Sequence, residues 1–381
     1  MRTEVLGARV RRSWTGALLG ILLIAVTVLA VPTEADAAPG LAERALQQSS
    51  LSGSPGKAIL DYNQGLMLGN YVLLYAATGS RWDLGQAERI ATQSYRAFGD
   101  LTTQAPVYGA IYLRELALLV RYAPSYEEMW RSQHAAFTAW VRAHRASGFV
   151  HRYPNGLYYD SRSWWPYAWL WQTSELVAAQ QDHGFGNAVR VLDYYWNGRA
   201  WQSGVKLLKR RIVPFGDTYY DDDDWAAIDY LTAYRDALVA ARANRAPRVR
   251  HRLYVRAADD LHHVVIAFRF LAGGWTRWGG VWWGDFDWNR DITTVSTAGT
   301  AQVALELYLA LHKGWYLWWA RRAMRWENRM MRAPDGLYYD RRTITGCRTA
   351  LPCWPTGFPY GASGGGNQAH DPMLWLASLE S

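Results

Sequence analysis

Four consecutive carboxylates, Asp221–Asp224, are the strongest sign of chemistry in this sequence, and Trp225 follows them directly. Four neighbouring acids repel one another, so some of their pKa values should rise. One carboxyl then stays protonated while its neighbour is ionised, which is what the hydrolysis of a glycosidic bond requires. An exposed acidic helix cap or a calcium loop is the simpler interpretation, but the Tyr and Trp residues that flank the run favour a sugar site.

A second group of residues supplies glycines and aromatic planes. Gly279 and Gly280 let the backbone approach another group closely, and Trp282 and Trp283 offer two ring planes. We interpret this group as a wall that binds sugar rings. A packed loop is the structural alternative.

A third group, Tyr62-Asn63-Gln64, opens an apolar helical pattern. Amide side chains can donate and accept hydrogen bonds, which suits the recognition of sugar hydroxyl groups. Taken alone, this group would more often be a helix-capping motif than a binding site.

Together the three groups resemble glycoside hydrolase family 76, the endo-α-1,6-mannanases, over most of residues 59–381. The family motifs are Asp-Asp-x-x-Trp, Gly-Gly-aliphatic-Trp-Trp and Tyr-Asn-Gln-Gly. The resemblance implies an (α/α)6 barrel, a retaining mechanism, no cofactor, and α-1,6-linked mannan as substrate, for example from a cell-envelope glycan or lipoglycan. Aligning the first motif on Trp225 implies Asp221 as nucleophile and Asp222 as general acid/base. The implied substrate-binding residues are Trp225, Gly279, Gly280, Trp282, Trp283, Tyr62, Asn63 and Gln64.

The order of the motifs departs from the family. Tyr62-Asn63-Gln64-Gly65 leads the chain, whereas the family places this motif last, and only the degenerate 366–369 segment occupies the usual position. Residues 107–113 likewise resemble a late helix of the family. The segment 290–294 stands where an Asn-bearing segment is usual. We therefore expect a permuted or rearranged member, because a closed ring of helix pairs brings its termini together and can conserve the site.

Two other functions fit parts of the sequence. A glycan-binding protein without activity would use the same barrel, and only the retained aspartates argue against it. Asp221-x-Asp223-Asp224 also matches the acidic motif of class II terpene cyclases, which are aromatic-rich α-helical barrels. The Gln-Trp repeats of those enzymes are absent here, and an exported enzyme would be separated from its substrate.

The elements that position these residues are predicted to be helices. The predicted ranges are 59–77, 85–98, 106–121, 125–145, 164–181, 185–196, 223–243, 250–271, 292–312, 314–331 and 364–379. The pattern carries almost no strand signal. Gly156-Leu157-Tyr158-Tyr159-Asp160 recurs 180 residues later as Gly336-Leu337-Tyr338-Tyr339-Asp340. Paired helices with an internal repeat predict a closed α/α toroid, and the irregular loop lengths argue against an open solenoid.

The composition agrees with a large folded domain that has wet aromatic surfaces. Of the 381 residues, 50% are apolar and 19% are charged, which excludes wholesale disorder. The chain has 22 Trp and 24 Tyr against 9 Phe. Trp and Tyr combine an apolar face with a polar group, so they suit surfaces that bind sugars.

The first residues read as an export signal. A basic start is followed by an apolar run at 17–31 and by Ala35-Asp36-Ala37, which fits a cleavage site. We expect a signal peptide at 1–37, a Ser/Gly/Pro-rich linker at 38–58 and a catalytic domain at 59–381. The mature protein would be secreted or bound to the cell envelope. An uncleaved anchor is the alternative.

The two cysteines and the net charge indicate a possible disulfide and possible partners. Cys347 and Cys353 are a candidate disulfide in an exported chain, and no further ligands near them are spaced for a metal site. The net charge is +8, with six arginines between positions 242 and 256. That run suits an anionic envelope polymer or lipid surface, although a solvated helix face is the simpler interpretation. We expect a monomer and no nucleic-acid partner.

Overall fold

The computed structural model describes residues 59–99, 101, 106–146, 150–152, 158–160, 192–201, 204–208, 211–215, 218–285, 289 and 291–343. The chain divides into two units, Met1–Leu46 and Gln47–Ser381, and every described residue belongs to the second. The predicted signal peptide, the predicted linker and the Cys347–Cys353 pair all lie outside the described residues. No helix in the described ranges combines the length and the apolar character needed to cross a membrane.

Eight helices of at least 15 residues dominate these ranges. They are α1 (Asp61–Thr78), α2 (Arg81–Phe98), α3 (Pro106–Val120), α4 (Glu127–Ala146), α5 (Tyr220–Ala243), α6 (Pro247–Gly273), α7 (Thr294–Leu311) and α8 (Gly314–Met330). Short 3-10 turns occur at Pro124–Tyr126 and Asp193–Tyr195. The corresponding helices predicted from the sequence are confirmed within about four residues. The predictions at 164–181 and 364–379, and most of that at 185–196, fall outside the described ranges.

The helices pack as successive pairs, α1–α2, α3–α4, α5–α6 and α7–α8. The first member of each pair is buried around most of its circumference for much of its length, whereas the second keeps an exposed polar face. The inner members also contact one another, in the order α3, α1, α7, α5. This arc of helix pairs agrees with a mainly helical toroid. Closure into the predicted six-pair ring stays a prediction, because the remaining predicted helices lie outside the described residues.

Tight links make these pairs antiparallel. Gly79 ends α1 in the left-handed conformation (φ 73°), and its N–H donates to the Tyr75 carbonyl at 2.8 Å. His312 ends α7 in the same way, with φ 55°. Since each pair reverses direction and begins with its inner helix, the starts of α1, α3, α5 and α7 lie at one end of the helical layer. The contacts described below for Tyr62, Tyr108, Asp221 and Asp340 belong to this end.

The expectation of almost no strands needs correction, because six short strands occur in the described residues. They form three antiparallel pairs. The pairs are β1 (Val150–Arg152) with β2 (Tyr158–Asp160), β3 (Gly204–Leu208) with β4 (Arg211–Phe215), and β5 (Asp291–Thr293) with β6 (Arg341–Thr343). Strands of three to five residues are too short to show a clear period in the sequence. They still satisfy backbone polar groups in the links between helices.

Candidate functional site

Three contacts join the chain segments that meet where the inner helices begin. The ring centroids of Tyr62 (α1) and Tyr108 (α3) are 4.4 Å apart. The backbone N–H of Thr294, the first residue of α7, donates to the Asp340 carbonyl at 2.9 Å. The indole Nε1 of Trp283 donates to Asp221 Oδ2, in the first turn of α5, at 3.2 Å. Helix N-termini carry partial positive charge, so this end of the helical layer favours carboxylates.

The four acids lie inside α5, which begins at Tyr220 rather than at the predicted residue 223. Asp221 and Asp222 occupy the first turn and are both partly exposed. Successive helical positions differ by about 100°, so their two carboxyls point in different directions from one turn of helix. The sequence analysis predicted that the helix begins within the run of acids, whereas in the structure all four acids belong to α5 and the first three lie in its first turn.

Asp221 has one bound and one unpaired carboxyl oxygen. Trp283 holds Oδ2, while Oδ1 is buried and has no hydrogen-bond partner among the described residues. Burial raises the pKa of Asp221 to about 7, the hydrogen bond from Trp283 acts against that rise, and the charge of Asp340 adds to it. Asp61, Asp223, Asp224 and Glu327 also have a buried carboxyl oxygen without a partner among the described residues, but they are fully buried, whereas Asp221 is partly exposed.

Asp223 and Asp224 are fully buried. The Trp201 backbone N–H donates to Asp223 Oδ1 at 2.6 Å, and the Thr300 hydroxyl donates to Asp224 Oδ2 at 3.3 Å. Burial raises the pKa of both groups well above the ordinary value, so they are held neutral. The two acids therefore fasten α5 to the preceding loop and to α7, and the accessible pair is Asp221 with Asp222.

The loop that carries Trp282 and Trp283 depends on its two glycines. Gly279 and Gly280 have φ of 82° and 74°, a region that side chains rarely adopt. A Cβ on Gly279 would lie 2.3 Å from Trp326 Cδ1, and a Cβ on Gly280 would lie 2.5 Å from Ile292 Cγ2. Both glycines are buried. The two glycines therefore allow the backbone turn that precedes Trp282 and Trp283, and their role in the structure is to set the conformation of this loop.

The two tryptophans are partly exposed and differ in their partners. Trp283 packs on Tyr219, with ring centroids 5.0 Å apart, and donates to Asp221 as described above. Trp282 packs edge-on against Trp278 at 5.8 Å. Trp225, the third predicted aromatic contact, is 2% exposed and lies in the hydrophobic core. The structure thus gives Trp225 a core role and places Trp283 beside Asp221.

The amides of the Tyr62-Asn63-Gln64 motif are occupied by the chain itself. Gln64 Nε2 donates to the Tyr338 carbonyl at 2.9 Å, and Gln64 Oε1 accepts from the Tyr338 N–H at 2.8 Å. Asn63 Nδ2 donates to Asp340 Oδ1 at 3.1 Å. Both amides are fully buried. Of the three residues, only Tyr62 is partly exposed, and its hydroxyl also donates to Asp340 Oδ1, at 3.1 Å.

Asp340 is the main residue that the sequence analysis did not assign to the site. Besides Tyr62 and Asn63, Arg341 binds it, with Nε donating to Oδ2 at 3.0 Å. Arg341 also reaches Asp291 Oδ2 at 3.6 Å. Asp340 ends the second copy of the Gly-Leu-Tyr-Tyr-Asp repeat, so the repeat was the signal that could have found it.

A metal site is not apparent within the described residues, where no group of three or more His, Cys, Asp or Glu side chains is arranged to hold an ion. The acidic run does not form such a group, because Asp223 and Asp224 are directed into the protein. The described residues at this end of the helical layer include two partly exposed carboxyls, Asp221 and Asp222, and the indole of Trp283.

Comparisons with known proteins found no matching family model and no matching curated protein. The solved structures that are weakly similar include the following two. One is a family 76 glycoside hydrolase from a bovine Bacteroides thetaiotaomicron strain (TM-score 0.34, 18% identity, 53% of this chain and 44% of that chain). The other is a family 76 glycoside hydrolase, described as a mannosidase, from Bacteroides thetaiotaomicron VPI-5482 (TM-score 0.29, 14% identity, 78% of this chain and 56% of that chain). This chain spans about half the length of either structure. Likenesses this weak carry no argument about function, which must come from the geometry.

Proposed function

We propose that this protein is a glycoside hydrolase whose catalytic residues are Asp221 and Asp222. The observation that carries the proposal is that Asp221 and Asp222 are the two partly exposed acids of the run, lie in the first turn of α5, and have Trp283 bound to Asp221 Oδ2. The hydrogen bond from Trp283 orients the Asp221 carboxyl, and an oriented carboxylate in its ionised form can attack an electrophilic carbon. Asp222, the next residue of the same helical turn, supplies the second carboxyl that glycoside hydrolysis requires.

The proposed reaction retains the anomeric configuration. Ionised Asp221 attacks the anomeric carbon while Asp222 gives its proton to the departing glycosidic oxygen, which breaks the carbon–oxygen bond. Asp222, now ionised, takes a proton from water, and the resulting hydroxide displaces Asp221 from the sugar. Asp223 and Asp224 take no part, because both are buried and hydrogen-bonded away from the acidic pair.

The proposed substrate is an α-1,6-linked mannan, such as that of a cell-envelope glycan or lipoglycan. The support for mannan is the motif resemblance at residues 221–225, 279–283 and 62–65. The partly exposed rings of Tyr62, Trp282 and Trp283 would contact the sugar faces, since aromatic planes suit the C–H surfaces of pyranose rings. No cofactor enters this mechanism.

The decisive experiment compares three variants on α-1,6-mannan. Asp221→Asn and Asp222→Asn should each lose at least about 1,000-fold in hydrolysis, because each removes a group that the transition state needs. Asp224→Asn is the matched control, since it changes a neutral buried acid to an amide of the same shape and should keep most of the activity. Circular dichroism verifies that all three variants fold.

The stereochemistry and the roles are tested separately. Proton NMR of the first product should show retained configuration, and azide should rescue Asp222→Ala on an activated mannoside by forming a glycosyl azide. Full activity in Asp221→Asn, or an inverted product, contradicts the proposal. Tight binding of mannan oligosaccharides by the wild-type protein without any hydrolysis would support the alternative of a glycan-binding protein.

We also propose that the protein is exported, on the basis of the basic and apolar start of the chain and the Ala35-Asp36-Ala37 site. Mass spectrometry of the secreted protein should find Ala38 at the amino terminus. Protein found only in the cytosol and still starting at Met1 would contradict this localisation.

A further inference from the structure

The turn between α5 and α6 carries an unusual concentration of positive charge. Residues 242–256, which we name the arginine tip, comprise the end of α5, the link and the first turns of α6, and none of them is buried. The chain has no acidic residue between Asp236 and Asp259. The six arginines of the tip are Arg242, Arg245, Arg248, Arg250, Arg252 and Arg256.

Most of these arginines form no ion pair within the part of the chain that the structure describes. Arg256 is the exception, with Nε 3.9 Å from Asp260 Oδ2. The other five are exposed, and among the residues that the structure describes no ion pair involves any of them. Five exposed guanidinium groups at one turn, without an ion pair to any described residue, form a surface that attracts anions.

The stability of the helix does not explain this charge. Acidic side chains suit the first turn of a helix, yet α6 has none there and has arginine instead. Arg248 and Arg252 are four residues apart on one face of α6, as are Arg252 and Arg256, and like charges at this spacing repel. A segment that breaks these local rules without compensation inside the fold points to a partner outside it.

Exposed apolar side chains identify the partner as a lipid surface. Tyr254 is 43% exposed and lies one turn from Arg250, while Val255 is 56% exposed and lies one turn from Arg252. Binding of an anionic polymer would require only the arginines and would leave the two exposed apolar side chains without a role. At a membrane, guanidinium groups bind lipid phosphates, and neighbouring Tyr and Val side chains enter the boundary between headgroups and acyl chains.

The arginine tip is distant from the carboxylate site. Asp221 is in the first turn of α5 and Arg242 in its last turn, so they are about 32 Å apart at 1.5 Å per residue. The lipid contact proposed for the tip therefore lies at the opposite end of α5 from the acidic pair.

We propose that the arginine tip docks this protein on membranes that contain anionic phospholipids. The proposal does not depend on the glycosidase activity. It explains the exposed arginines, the absence of acids and the two exposed apolar residues together.

The test is co-sedimentation of the full-length protein with phosphatidylcholine vesicles, with and without phosphatidylglycerol. The wild type should prefer the anionic vesicles, and high salt should abolish the preference. The variant Arg245→Gln/Arg248→Gln/Arg252→Gln should lose roughly 100-fold in partitioning to anionic vesicles. Binding to pure phosphatidylcholine, which reports the contribution of the apolar 17–31 segment, should not change.

The matched control is Arg89→Gln/Arg96→Gln/Arg121→Gln, which removes the same charge from exposed positions elsewhere. It should keep nearly all of the preference. Equal sedimentation with both vesicle types, equal losses in the two variants, or binding of the tip to a soluble anionic polysaccharide but not to vesicles would overturn the proposal. Thermal melts verify folding, and mannan hydrolysis, measured in parallel, reports on the proposed activity alone.

Discussion

The protonation of Asp221 is the residue-scale property with the most direct consequence. Burial raises its pKa to about 7, so the carboxyl is only partly ionised at neutral pH. A nucleophile must be ionised to attack. If Asp221 has that role, activity appears only as the pH rises through this value, well above the range of an ordinary aspartate.

The acidic limb of the pH–activity profile tests this role. We predict that kcat/KM of the wild type rises with pH through an apparent pKa near 7. Trp283→Phe removes the hydrogen bond that holds the ionised form, so the limb should move to higher pH by about one pH unit. Steady-state kinetics on mannan oligosaccharides between about pH 4 and about pH 9 would measure the acidic limb of the wild type and that of Trp283→Phe.

Trp282→Phe is the control for this experiment. Trp282 is the neighbouring indole and packs edge-on against Trp278, so its replacement should leave the limb near 7. An activity that falls, rather than rises, as the pH passes through 7 would instead assign the proton-donor role to Asp221.

At the scale of elements, the loop before α7 shows how backbone geometry supports the site. Gly280 lies between Ile292 and Trp326, and Trp283 donates its backbone N–H to the Asp291 carbonyl at 2.9 Å. The loop, β5 and α5 are therefore linked through Trp283. Any change that moves Gly280 should also move the indole that holds Asp221.

Gly280→Ala is predicted to destabilise the protein by at least about 1–3 kcal/mol. The new Cβ would require a strained positive φ and would lie 2.5 Å from Ile292 Cγ2. Gly314→Ala is the matched control, since Gly314 begins α8 and a Cβ there has no atom within 4 Å. Urea unfolding monitored by circular dichroism measures both changes. Equal stability of the two variants would show that the loop adjusts without cost.

At the scale of the whole molecule, the interior holds an unusual number of acidic groups. Burial raises the pKa of Asp61 to about 8, and it raises the pKa of Asp223, Asp224 and Glu327 well above their ordinary values. At a pH between the unfolded pKa of about 4 and the raised folded pKa, each of these carboxyls is protonated in the folded state and ionised in the unfolded state. Each of these raised pKa values makes the free energy of unfolding decrease as the pH rises, so low pH favours the fold.

We predict that the free energy of unfolding decreases as the pH rises from about 4 towards 8. Below the unfolded value of about 4 a carboxyl such as Asp61 is protonated in both states, and its stabilising effect is lost as the pH rises through its folded pKa of about 8. Asp61→Asn cannot ionise, so it should flatten this decrease by up to about 1.4 kcal/mol per pH unit. Urea titrations at several pH values provide the measurement.

Asp335→Asn serves as the control for pH-dependent stability, because Asp335 is exposed. It should leave the decrease unchanged. An increase in the free energy of unfolding of the wild type between about pH 5 and about pH 8 would contradict the assignment of neutral buried acids.

Local signals in the sequence determined the helices and the candidate acids. The helical period is visible within about four turns of chain, so all eight described helices were predicted. The start of α5 was predicted three residues too late, because acids also suit the residues before a helix. The run at 221–224 is contiguous, so its importance could be inferred without knowing the fold. The short strands left no comparable period, and the sequence did not predict them.

Only the tertiary structure decided which polar groups share the site and which are buried. Tyr62 and Asp340 are 278 residues apart and still form a hydrogen bond, because the helix pairs bring the start of α1 against the 338–341 segment. The same tertiary contacts separated four identical acids into a partly exposed pair and a buried pair. Residue type and spacing carry no record of such contacts, since burial depends on what lies across the core rather than along the chain.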